Sequence, residues 1–121
     1  MDTNFLIVFC TYPKQDGQDD QDVNDNIKRA NTLINDIVVK KLAACVNRIT
    51  NIQSSFIWQG NLNTESEELW IIKTSKAIFP KLCEYIKAHH PYECPEIIAI
   101  PIICGNKKYL TWLDEQLEIT K

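Results

Sequence analysis

The sequence predicts an α+β domain built on an antiparallel sheet, with two crossover helices and one further helix at the C-terminal end. Three observations carry this expectation. Short β-rich apolar runs recur at residues 5–10, 42–49, 68–74 and 97–104. Between the first and second, and again between the third and fourth, apolar side chains fall at helical spacing. A Gln-Gly-Asn turn at 59–61 joins the middle two strands as a hairpin. With 121 residues the chain is one domain, 1–121, large enough to bury a real core without staples.

The first strand, FLIVFC, is followed by a stretch at 14–26 almost devoid of apolar side chains, which is expected to form a mobile acidic loop. Asp20, Asp22 and Asn24 begin a calcium-loop pattern, but Asp25 stands where glycine is required and Asn31 where the closing glutamate belongs. Ile27, Ala30, Leu33 or Ile34, Ile37 and Val38 give a helix over 25–40. Residues 42–49 return to strand, Phe56-Ile57-Trp58 continues extended, and 68–74 runs back after the turn. The next helix starts between Ser75 and Pro80, where a proline in the first turn forgoes no hydrogen bond, and buries Phe79, Leu82, Cys83 and Ile86. It ends at His89, because Pro91 disfavours helical geometry at His90. The fourth strand, 97–104, carries Pro101 and follows Pro95, so it belongs at a sheet edge. Gly105 closes it, and Tyr109, Leu110, Trp112, Leu113 and Leu117 mark the last helix.

This order, βαββαβ plus a helix, is the ferredoxin-like arrangement. Two crossover helices cover one face of such a sheet, so its strands ought to alternate apolar and polar. Here they are apolar on both faces, which predicts oligomerisation through the sheet. A net charge of −3 gives no reason to expect nucleic acid as partner. The run at 5–10 is too short to insert in a membrane, and residues 1–4 lack the basic start of a secretory signal. Five cysteines without a CxxC pair do not make a disulfide framework, so a reduced, cytoplasmic setting is expected.

The segments KKLAACVNRI (40–49), WQG (58–60), ELWIIKT (68–74), HPYECPEIIAIPI (90–102) and GNKKYLTWL (105–113) closely resemble, in order and spacing, the CutA family of divalent-cation tolerance proteins. The resemblance covers nearly the whole chain except the acidic insertion. It implies a ferredoxin-like subunit in a compact homotrimer, an association with copper and other divalent cations, and an architecture similar to the PII-type signalling trimers. Any protein partner is left open.

Three residues are candidate metal ligands. Cys45 reads first as a small buried hydrophobe in a strand, and alternatively as a soft donor for copper or zinc. His90 reads as a helix-end residue bonding the last carbonyls, or as an imidazole ligand. Glu67, added from its position in the family, reads as a solvated glutamate or as a carboxylate ligand. Cys10, Cys83, Cys94 and Cys104 are expected to pack, and Tyr92, Glu93 and Glu96 near a subunit cleft read equally as binders of a small ligand. No P-loop, G-x-G-x-x-G, G-x-S-x-G or HExxH motif is present, so a non-catalytic role is expected. The rivals are a PII-like sensor of a small anion and a trimeric protein-interaction scaffold.

Overall fold

The computed structural model describes residues 3–14 and 20–118. Its elements are β1 (Phe5–Pro13), α1 (Asp20–Val39), β2 (Cys45–Trp58), β3 (Asn61–Ser75), α2 (Phe79–His89), β4 (Ile97–Pro101) and α3 (Lys107–Leu117). The four strands form one antiparallel sheet in the order β2-β3-β1-β4. The fold class and the edge placement of the proline-bearing fourth strand are as expected.

The bounds of α1, β2, β3 and β4 differ from the sequence-based expectation, β2 starting at Cys45 where 42 was expected. Helix α1 begins at Asp20, so 20–26, expected in the acidic loop, is helical. An acidic composition opposes compaction, yet acidic residues are favoured in the first turn of a helix. The remainder of the expected loop, 15–19, lies outside the described residues. Strand β3 begins at Asn61 instead of 68, and β2 is continuous from Cys45 to Trp58 apart from an irregularity between Ile49 and Ile52. The polar run NLNTESE gave no alternation to read, yet it is held by paired β2 backbone from Ile52 to Trp58. Strand β4 stops at Pro101, and Cys104 falls in the segment before α3.

The hairpin turn at Gln59-Gly60 has φ of 50° and 80°, the doubly positive geometry that matches strand twist in a two-residue loop. Glycine relieves the strain at the second position. Helix α2 carries Pro80 in its first turn, and His90, extended at φ −84° and ψ 140°, ends it. Asn106 caps α3 by accepting the Lys108 N–H at 2.9 Å.

Helices α1 and α2 cover one sheet face. Val8, Cys10, Tyr12, Trp70 and Ile72 meet Ala30, Leu33, Ile37, Leu82 and Ile86 there in one buried core. Burying such aliphatic side chains stabilises by about 1.5–3 kcal/mol each. Helix α3 closes one end of the sheet with Leu113 and Leu117 against Ala44 and Ile78. The buried Thr74 hydroxyl donates to the Leu42 carbonyl at 2.7 Å, tying β3 to the segment between α1 and β2.

The opposite face is open in the single subunit. Phe9 stands between Ile71 and Ile98, and Ile7 is paired with Ile100; Ile98 and Ile100 are 56% and 47% exposed. At the far end of the hairpin Ile57, Trp58 and Leu62 are more than 60% exposed. Apolar side chains on both sheet faces, read from the sequence, are therefore present in three dimensions.

Candidate functional site

Where α2 hands over to β4, residues 90–96 cross the end of the sheet beside Thr11–Pro13. Pro91 forces His90 out of helical geometry, and this turns its ring under the crossing segment. His90 is 8% exposed. It meets Tyr12 edge-on, with centroids 5.1 Å apart, and Tyr92 at 5.0 Å. Its Nε2 lies 2.8 Å from the Thr11 carbonyl, and its Nδ1 accepts the Tyr92 N–H at 3.0 Å. A carbonyl only accepts and an N–H only donates, so the ring is neutral with its proton on Nε2. His90 bonds a last-turn carbonyl of α2 through its backbone N–H, which donates to Ile86 at 2.8 Å; the ring contact of that kind belongs to His89, whose Nδ1 lies 2.8 Å from the Tyr85 carbonyl.

Glu67 is 5% exposed, not the solvated residue its alternative reading supposed. It lies opposite Pro13 on one side and Ile52 on the other, and its carboxylate accepts the Tyr92 hydroxyl at 3.1 Å. Burial and the Glu67 charge push the Tyr92 phenol well above its usual range. Glu67 and His90 are thus brought together through Tyr92.

The neighbouring Glu68 points to the helix face. Arg48 donates to it through Nε at 2.9 Å and Nη2 at 2.8 Å, a two-pronged pairing, and the Trp70 indole adds a bond at 2.9 Å. Arg48 also donates to Asn31 on α1. Sequence reasoning missed this network. Its signal was available, since a lone arginine inside an apolar strand calls for a carboxylate across the sheet.

Cys45 lies elsewhere. It opens β2 opposite Lys73, half-buried on the open sheet face, with its sulfur 3.9 Å from the Tyr109 hydroxyl on α3. Along β3, positions 67 and 73 are six residues apart, or about 20 Å. The three expected ligands therefore do not converge within one subunit. His90 has both ring nitrogens engaged, Glu67 is tied to Tyr92, and Cys45 is remote from both. Among the described residues no three His, Cys, Asp or Glu side chains gather as a metal-holding group. Glu67 and Cys45 do share the open face, because both alternate with the helix-facing Glu68, Trp70 and Ile72 of β3 or their partners.

The other cysteines divide. Cys10 is buried in the core, and desolvation pushes its thiol up to about 12. Cys83 is half-buried on α2, and desolvation raises its thiol as well. Cys94 and Cys104 are exposed, so packing does not account for them. All five are free thiols.

Burial lowers the His90 pKa, and this outweighs the opposing Thr11 bond and the Glu67 charge. A histidine with a folded-state pKa below its unfolded value of about 6.5 contributes stability fully above that pH and loses it as pH falls. We expect the urea midpoint to fall more steeply from pH 7.5 to pH 5 in the wild type than in His90→Gln. Parallel pH profiles would show that His90 does not titrate in this way.

Comparison with known proteins identifies the family. The CutA1 divalent ion tolerance protein family matches residues 23–116. The chain belongs to the CutA1 family. A chloroplastic CutA 1 protein of Oryza sativa is 47% identical over 108 residues, 89% of this chain and 54% of the relative. The divalent-cation tolerance protein CutA of Thermus thermophilus is 46% identical over 86 residues, 71% of this chain and 84% of the relative. The crystal structure of CutA1 from Oryza sativa superposes with a TM-score of 0.83 at 36% identity, covering 98% of each chain. This chain spans about half the length of the plant relatives it matches. The CutA1 assignment agrees with the motifs at 40–49, 58–60, 68–74, 90–102 and 105–113.

Proposed function

We propose that this CutA1-family chain is a non-catalytic homotrimer that takes up divalent cations, copper foremost, at sites completed only when copies assemble. The observation that carries the reading is the open sheet face. It presents Phe9, Ile71, Ile98 and Ile100 as an apolar surface and holds both Cys45 and Glu67. A surface of that kind favours a partner of like chemistry, and a second and third copy supply it. Donors some 20 Å apart along the sheet, Cys45 on β2 and Glu67 on β3, serve one cation only if they come from different copies. A half-buried thiol suits copper or zinc better than calcium or magnesium. Imidazole joins only by giving up the Thr11 or Tyr92 bond, so His90 is the weakest of the three ligands. Divalent-cation tolerance, the property for which the relatives are named, is the setting in which such uptake acts. Five free thiols support a reducing, cytoplasmic location.

A second reading has its own observation. Ile57, Trp58 and Leu62 at the hairpin tip form an apolar rim, and a rim still exposed in the trimer would favour a protein-interaction scaffold. Anaerobic titration of copper and zinc separates the two. Cys45→Ser is expected to weaken binding at least tenfold relative to wild type, while Cys94→Ser leaves it unchanged and both remain trimeric. Equal affinity in wild type and Cys45→Ser would move Cys45 back to packing and leave the scaffold reading ahead.

A further inference from the structure

We infer that the groove between the end of α1 and the start of α2 docks a short acidic peptide segment, carrying one or two apolar side chains, of a partner protein. The groove measures about 550 Å³ and is lined by Leu42, Pro80, Tyr85 and Ala88, with Lys40, Lys81 and Glu84 at its rim. It lies on the helix side, away from the open sheet face, so trimer formation leaves it accessible.

Its chemistry selects the occupant. The floor is apolar, and Tyr85 is fixed as a wall by donating to the Asp36 carboxylate at 3.0 Å. The carboxylates nearby are engaged: Asp36 accepts that hydroxyl, and Glu84 pairs with Lys87 at 3.5 Å. The lysines are not so compensated. The Lys40 ammonium stands 5.9 Å from the Tyr85 ring centroid, a cation held over an aromatic face, and no carboxylate of the described residues pairs with Lys40 or Lys81. Two uncompensated cations flanking an apolar trough complement a segment that places a carboxylate on either side of an aliphatic or aromatic anchor. The trough is shallow and open to solvent, which suits a peptide better than a small molecule, because a small ligand needs most of its surface enclosed.

The test is selection of a displayed random heptapeptide library on the intact wild-type trimer, with counter-selection on Lys40→Glu/Lys81→Glu. Both positions are exposed, and circular dichroism is the check that the double variant folds. We expect enrichment of sequences with two or more Asp or Glu flanking an apolar residue. One such peptide, fluorescein-labelled, should bind the double variant at least tenfold more weakly and lose affinity when salt is raised from 50 to 300 mM. A bulky Ala88→Trp substitution should block it without altering the rim charge. Absence of enrichment, enrichment of peptides without acids, or equal binding by wild type and double variant would overturn the inference.

Discussion

Replacing Arg48 by alanine is expected to destabilise the subunit by about 3 kcal/mol, because it leaves the Glu68 carboxylate in the core without its counter-ion. Glu68 is 5% exposed and cannot recover its hydration by a rotamer change. The Trp70 indole, bonded to the same oxygen, would remain as its single hydrogen-bond donor among those described. For a domain whose total stability is about 5–15 kcal/mol, that is a large share. Removing both charges together, as Arg48→Met/Glu68→Leu, should restore much of the loss, since desolvating the pair offsets most of its attraction. Urea unfolding of the three variants measures the cycle. A cost below 1 kcal/mol for Arg48→Ala would mean that Glu68 is solvated or neutral in the folded subunit.

Ile98→Asp is expected to abolish the proposed trimer while leaving the isolated subunit foldable. Ile98 is 56% exposed in the subunit, so a carboxylate there meets water and costs the monomer little. In an assembly packed through the open face it would sit opposite Phe9 with no cation to pair with, at a cost of several kcal/mol per copy. Sedimentation equilibrium distinguishes the outcomes. A wild-type-like trimer of unchanged melting temperature would remove Ile98 from the interface and with it the assembly through this face.

The strands, the two crossover helices and the edge position of β4 were legible because each had a local signature. Period-two or unbroken apolar runs gave β1 and the core of β3, helical spacing gave Ala30, Leu33, Ile37, Leu82 and Ile86, and Pro101 gave the edge. The outer half of the hairpin was not legible. Residues such as Asn61, Thr64 and Ser66 carry no hydrophobic alternation, and they are strand because partners on β2 pair with their backbone. The start of α1 was hidden for a related reason. Acids that look disfavoured by composition are favoured at a helix N-terminus, a positional effect that composition does not report.

For the candidate site, the residue types were legible and their grouping was not. His90 and Glu67 both emerged as chemically relevant and are indeed close, but the link through Tyr92 depends on the path of residues 90–96 across the sheet. Cys45 was grouped with them on donor chemistry alone. Strand register places it six residues further along β3, and register is set by long-range pairing.

Native mass spectrometry of the untagged protein, loaded with one equivalent of copper per subunit, tests the central claim most directly. We expect a trimer of wild type that retains copper, and a monomer of Ile98→Asp that does not retain it, because the donors no longer meet. A copper-bearing monomer, or a wild-type trimer that sheds copper as readily as Cys45→Ser does, would contradict it.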